Sequence, residues 1–185
     1  MTAVRPPQPL LDNQAVELVD HVLPASAKVV LVEYGDYETT ATTQASGAVR
    51  QILEEVEGIV FVYRHFPADG RPPQEMPAAQ AAEAAGAQDW FWPMHDALLD
   101  RGTAKSFAGI LHAARGCGIP DYARLVAEVN AGEHLTKIAR DMALATEAGI
   151  TALPAFVIDG HLYDDPAGLP SLRHEVQRRR GSYTP

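Results

Sequence analysis

The period of the apolar positions changes several times along the chain, and each change marks an element. Val29-Val30-Leu31-Val32 is a continuous apolar run that fits a strand buried on both faces, ended by Gly35 and Asp36. Val49, Ile52, Leu53 and Val56 then fall at i, i+3, i+4 and i+7, one stripe along a helix that Gly58 stops. Ile59-Val60-Phe61-Val62-Tyr63 is a second buried strand, stopped by Pro67. Strand, helix and strand within about 35 residues make a βαβ unit, whose crossover is expected to be right-handed. A Pro-containing arm over residues 1–13 and a weaker strand-like stretch over residues 15–22 precede it.

Beyond a Pro- and Gly-rich loop at 69–76 the period is helical for a long way. Pro77 suits the first turn of an Ala-rich helix that stops at Gly86, its small residues suggesting a close-packing face. Asp89 is the expected cap of a helix reaching Leu99, with Pro93 near the first turn. Phe107, Ile110, Leu111 and Ala114 mark the next, with Thr103 as its expected cap. Tyr122, Leu125, Val126 and Val129 follow Asp121, and Leu135, Ile138, Ala139 and Met142 lead to a stop at Gly149. Strand character then returns. Ala155-Phe156-Val157-Ile158 and His161-Leu162-Tyr163 flank Asp159-Gly160, a strong two-residue hairpin turn. A last helix carries Leu169, Leu172 and Val176, and Arg178-Arg179-Arg180 complements its C-terminal end.

The order βαβ, helices, hairpin and helix describes an α/β domain interrupted by a helical insertion of roughly 70 to 80 residues. The expected organisation is an N-terminal arm at 1–24, a main domain built from 25–70 and 150–185, and the insertion at 71–149. Trp90, Phe91 and Trp92 cannot share one helix face, so one ring is expected at an exposed surface or interface.

Composition narrows the function classes. Hydrophobic residues make up 46% and charged residues 21% of 185, an ordinary globular balance. Fifteen Lys and Arg against 24 Asp and Glu leave a net charge of −9, which speaks against nucleic acid and anionic membrane surfaces as partners. No apolar stretch has transmembrane length, and the first residues lack the apolar core of a secretory signal, so a cytoplasmic location is expected. The single cysteine, Cys117, can form neither an internal disulfide nor a Cys-x-x-Cys zinc pair. Following Arg115-Gly116, it is expected at a helix end or in a loop, without a redox role. The seven histidines show no ligand spacing, so no metal site is expected.

Several segments together carry a resemblance. They are Asp20-His21-Val22-Leu23, Val32-Glu33-Tyr34-Gly35-Asp36-Tyr37-Glu38, Arg64-His65-Phe66-Pro67, Ala81-Ala82-Glu83-Ala84-Ala85-Gly86-Ala87, Phe91-Trp92 with Met94-His95-Asp96, and Leu153-Pro154-Ala155-Phe156-Val157-Ile158-Asp159-Gly160. From about residue 20 to residue 165 the chain resembles the DsbA-like branch of the thioredoxin superfamily, the thiol-disulfide oxidoreductases. The resemblance implies a thioredoxin-like fold, with βαβ and ββα halves separated by the insertion. In that family Cys-x-x-Cys follows Gly-Asp-Tyr-Glu at the start of the first long helix, and this chain has Thr39-Thr40-Ala41-Thr42 there. Pro154 matches a proline that is cis in the family and faces the active-site turn; Ala152-Leu153 stands where Gly-Thr is commoner. The implied site is therefore Glu38, Thr39, Thr40, Thr42, Leu153 and Pro154.

Dithiol exchange needs one thiolate to attack a disulfide and a second thiol to resolve the product. Threonine hydroxyls do neither, so no thiol-disulfide oxidoreductase activity is expected. Two roles stay open for them. Threonine is a good helix N-cap, so the replacement stabilises the helix start. Alternatively Thr39 donates a hydroxyl to a ligand, as serine does for the glutathione thiolate in kappa-class glutathione transferases, which resemble this architecture, with the Leu153 backbone pairing to the tripeptide. The expectation is a redox-inactive module for a peptide or partner segment, needing no cofactor, as a monomer or homodimer; the alternative is a glutathione-binding transferase or isomerase. Asp36 and Glu38 are expected as solvated loop charges, and Arg64 and His65 as the nearest basic groups, capping the sheet end.

Overall fold

The computed structural model describes residues 21–23, 29–67, 69–100, 102–103, 105–164 and 168–182. The arm expected at 1–13, and residues 15–20 of the strand-like stretch, lie outside them. Strands β2 (Val29–Gly35) and β3 (Ile59–His65) run parallel, from Val29 opposite Ile59 to Gly35 opposite His65. Helix α1 (Thr40–Glu55) connects them. Strand β1 (His21–Leu23) pairs antiparallel with β3. Strand β4 (Ala155–Ile158) lies antiparallel on the other side of β2, and β5 (His161–Tyr163) pairs with β4, giving the order β1-β3-β2-β4-β5. The βαβ and ββα halves thus share one sheet, in a thioredoxin-like architecture.

Side chains alternate along a strand, so each face has its own core. Val29, Leu31, Ile59 and Phe61 meet Val49, Ile52 and Val56 of α1 and Leu172 and Val176 of α7 (Leu169–Ser182). Val32, Tyr34, Val60 and Val62 meet Ala145 of α6 (Leu135–Glu147) and Ala148 beyond it. Covering on both faces is why β2 and β3 read as unbroken apolar runs rather than as alternation. A further core joins α2 (Pro77–Gly86), α3 (Phe91–Leu99), α4 (Phe107–Gly116) and α5 (Tyr122–Ala131) to Tyr37 and Tyr63. Ala81, Ala82, Ala84 and Ala85 are buried there, the small residues letting helix backbones approach.

Local chemistry sets the boundaries. In the hairpin turn Asp159 has φ 48 and Gly160 φ 76, the two positive values that the tight turn demands. Asp121 caps α5, accepting from the Arg124 N–H at 2.9 Å. The two other expected caps are displaced. Asp89 is itself left-handed at φ 60, and Trp90 holds the cap position of α3 without a side-chain bond. Ser106 caps α4, because the Thr103 hydroxyl is spent on the Ala97 carbonyl at 2.7 Å. None of the three rings of the aromatic triplet is exposed. Phe91 is buried and stacks on His21, Trp92 lies 5.6 Å from Phe61, and Trp90 donates its indole N–H to the Cys117 carbonyl at 2.8 Å. Trp90 precedes the helix, so helical face geometry does not constrain it.

Candidate functional site

The site is built where β2 turns into α1. Gly35 ends the strand in a space with no room for a side chain: a Cβ would stand 2.6 Å from the Tyr63 phenol oxygen and 2.9 Å from Thr42 Cγ2. Four groups then close the turn in a ring. The Asp36 N–H donates to Thr42 Oγ1 at 3.2 Å, and the two threonine hydroxyls meet at 2.8 Å. The Thr39 hydroxyl donates to the Asp36 carbonyl at 3.1 Å. Because the Thr39 proton goes to that carbonyl, Thr42 is the donor between the hydroxyls. Thr39 is the N-cap of α1 in extended conformation, and its Oγ1 accepts from the Thr42 N–H. Both positions that hold cysteine in the resembling family therefore face each other at a helix start, with Thr42 buried and Thr39 half-buried.

Asp36 departs from the solvated charge expected of it. It is 3% exposed, its Oδ1 accepts from the Glu38 N–H at 3.0 Å, and its Oδ2 sits 2.6 Å from Arg71 Nη2. Arg71 also holds Asp69 at 2.8 Å and lies 3.7 Å from Glu38. Glu38 is exposed; partial burial still raises its carboxyl pKa, against the lowering effect of Arg71. Arg71 is the basic group of this turn. Sequence reasoning missed it because its loop carries no motif. Arg64 and His65 are turned into the fold instead of capping the sheet end. Arg64 is buried on the α6 side and donates to the Tyr34 phenol at 2.9 Å, while His65 is bonded to Glu83.

Glu38, Thr39 and Thr40 line a cavity of about 390 Å³ with Thr43, Gln44, Thr103 and Lys105; Thr42 and Pro154 are not part of its wall. Lys105 Nζ donates to the Leu98 carbonyl. On the other side, Tyr34 of β2 pairs with Ala155 of β4, which sets Pro154 at the same end of the sheet as the turn. The Leu153–Pro154 peptide is cis. Thr151 and Ala152 are exposed and Leu153 and Pro154 half-buried. Among the described residues, no backbone hydrogen bond engages Ala152 or Leu153.

Behind the turn lies a strip of buried polar side chains. Glu33, on the α1 face of β2, is 1% exposed; its Oε1 has no partner, and burial pushes its pKa up to about 8. The Tyr63 phenol likewise has none, while the Tyr37 phenol meets His95 Nδ1 at 2.9 Å. Burial, with nearby negative charge, raises both tyrosines well above their ordinary range, and burial, with the nearby basic groups His65, Arg50 and His21, pushes His95 down to about 3. Each of these shifts favours the uncharged form.

A second buried cluster lies under β3. Glu83 takes His65 Nε2 at 2.8 Å and His21 Nε2 at 2.9 Å. Burial pushes Glu83 up, but these hydrogen bonds and their charge win and hold it below the carboxylate range. Asp141 takes the His65 N–H at 3.0 Å and both oxygens accept from Lys137 Nζ at 2.7 Å. His65, Glu83 and Asp141 offer ligand atoms within 4.8 Å of one another. An ammonium and imidazole nitrogens already occupy the places a cation would need, so the cluster is an ion-pair network joining the insertion to the sheet.

The family model described as thioredoxin matches residues 24–178, and the chain belongs to that family, with Thr39 and Thr42 at the positions where the resemblance implies cysteine. Its structure is similar to a thioredoxin-like oxidoreductase from Silicibacter pomeroyi DSS-3, with 28% identity, coverage of 90% of this chain and 95% of that one, and a TM-score of 0.78. Wolbachia pipientis alpha-DsbA1 shares the fold at 17% identity, covering 93% of this chain and 97% of that one, with a TM-score of 0.76. Two curated relatives are named Na(+)/H(+) antiporters. NhaA 3 of Salinispora tropica is 33% identical and NhaA 1 of Salinispora arenicola 34% identical, each over 158 residues. Both matches cover 85% of this chain, which spans about a quarter (24%) of each relative's length.

Two outcomes follow from this geometry. The double variant Thr39→Cys/Thr42→Cys is expected to form an intramolecular disulfide under mild oxidation, seen as loss of two alkylatable thiols; two thiols that stay free would show that these positions do not face each other. Glu33 binds a proton in the folded protein up to about pH 8, whereas the unfolded chain releases it near 4.5. Its contribution to stability is therefore full below the unfolded value and declines by a few kcal/mol as pH rises between the two. Urea unfolding of Glu33→Gln should give a flatter pH profile over that window; parallel profiles would contradict the burial account.

Proposed function

We propose that this thioredoxin-family protein is a redox-inactive binding module that holds an extended segment of a peptide or partner protein along residues 151–153, beside the Thr39–Thr42 turn. The observation that carries this reading is the backbone of Ala152 and Leu153. It is unpaired among the described residues, exposed at Ala152 and half-buried at Leu153, and lies immediately before Pro154, which leads into β4. An extended chain laid there gains backbone hydrogen bonds of the kind a sheet edge offers. The turn supplies no attacking sulfur, and the one thiol of the chain, Cys117, ends α4 with its pKa raised by burial. A glutathione site has less support. Thr39 Oγ1 already donates to Asp36 and accepts from Thr42, and the Arg71 guanidinium is held by Asp36 and Asp69. Since the curated relatives are antiporters in which this region is one part, we take the bound segment to belong to a membrane transport protein.

Reduced and alkylated insulin B chain, an extended polypeptide without reactive sulfur, tests the reading by fluorescence anisotropy. Saturable binding with a Kd on the order of 10 μM is expected, weakened about fivefold or more in Ala152→Pro, which removes one backbone donor. Absence of saturation up to about 1 mM, or equal binding by a folded Ala152→Pro variant, would refute it.

A further inference from the structure

The chain has three lysines, Lys28, Lys105 and Lys137, and two of them fall in the described residues with opposite surroundings. Lys137 is held as an ammonium by both Asp141 oxygens at 2.7 Å. Lys105 forms no ion pair among the described residues; its Nζ donates to a neutral group, the Leu98 carbonyl. Burial lowers its pKa and outweighs Glu38, Asp100 and Asp36, whose carboxylates favour the charged form. More of its amine is therefore free near neutral pH than an ordinary lysine offers, and the free amine is the nucleophile.

This half-buried amine lines the cavity of about 390 Å³ beside Thr39 and Thr40. At about 30 Å³ per water, the space admits a molecule of several non-hydrogen atoms. The Thr40 and Thr43 hydroxyls and the Gln44 amide share the wall, and among the described residues their side chains make no hydrogen bond. We propose that Lys105 forms a Schiff base with a small uncharged hydroxyaldehyde bound in this cavity.

The lining supplies each part of that reaction. The Nζ lone pair bonds to the aldehyde carbon, and one nitrogen proton passes to the carbonyl oxygen, giving a carbinolamine. Glu38, the carboxyl of the wall, is shifted toward its protonated form by partial burial. It gives a proton to the carbinolamine hydroxyl, which leaves as water, and takes back the remaining nitrogen proton. The products are an imine and one water, and nothing is oxidised or reduced. Unpaired hydroxyls and an amide around the amine match a ligand that carries hydroxyl groups. An anionic aldehyde is disfavoured, because Glu38 faces it and the one cationic side chain of the wall is the one that reacts. The loop at 151–153 takes no part in this wall, so this site and the peptide site can each fail without the other.

D-Glyceraldehyde with sodium cyanoborohydride at pH 7 is the direct probe. The hydride converts an imine into a stable secondary amine, and peptide mass mapping reads every lysine in the same sample. Lys105 is expected to be labelled about tenfold or more faster than Lys28 and Lys137, since rate follows the share of free amine. Its rate should saturate with half-saturation on the order of 10 mM aldehyde. Propanal, which lacks the hydroxyls, should show a preference for Lys105 over Lys28 about fivefold smaller. Thr40→Val/Thr43→Val should reduce the glyceraldehyde preference to the propanal level. Labelling of Lys105 no faster than Lys28, a rate still linear at about 100 mM, an equal preference with propanal, or an undiminished preference in the double variant would each overturn the proposal.

Discussion

The turn between β2 and α1 is held by oxygen where its family holds it by sulfur. Asp36, Thr39 and Thr42 form a closed run of hydrogen bonds, with Arg71 outside neutralising the buried Asp36 carboxylate. Each bond contributes about 1 kcal/mol, and the N-cap at Thr39 another amount of that order. Their joint effect is to fix where α1 begins relative to the end of the sheet. Everything at that end is registered on this point: the cavity beside Thr39 and Thr40, the tight approach of Gly35 to Tyr63, and the loop before Pro154. Hydroxyls satisfy the same backbone donors as a capping side chain anywhere else would. They also remove the only pair of groups in this turn able to exchange disulfides.

The polar groups behind the turn fit this account. Glu33, Tyr37, Tyr63 and His95 are buried yet incompletely paired, an arrangement that costs stability and that an apolar core would avoid. Burial resolves part of the conflict by keeping them uncharged. The remainder is left as one sealed carboxyl oxygen and one phenol without a partner. The cluster under β3 solves the same problem differently: His21, His65, Lys137, Glu83 and Asp141 compensate one another directly, and so tie α2 and α6 to the sheet. Of the two buried polar regions, only the Glu33 strip leaves a carboxyl oxygen without a partner.

Much of this was legible in the amino-acid order. The runs at 29–32 and 59–63 and the stripe at 49–56 define a βαβ unit because both sheet faces are covered and α1 buries one side. Asp159-Gly160 specifies its turn through two positive φ values. Thr39 and Thr42 were located by the segments flanking them, and the structure sets their hydroxyls 2.8 Å apart. What sequence could not supply were partnerships across long separations. Arg71 reaches Asp36 from 35 positions away, out of a loop with no periodicity. Asp89 has the chemistry of a cap but a backbone that excludes the role, and Thr103 lost its place to Ser106 through a tertiary bond. Glu33, within a hydrophobic strand, gives no local sign that one of its oxygens lacks a partner.

The claim on which the account rests is that the scaffold persists while the exchange chemistry is gone. Reduction of insulin by dithiothreitol, followed as precipitation of the freed chains, measures this directly on the unmodified protein. The account predicts an onset and rate identical to buffer alone at any protein concentration. Acceleration that scales with added protein would contradict it.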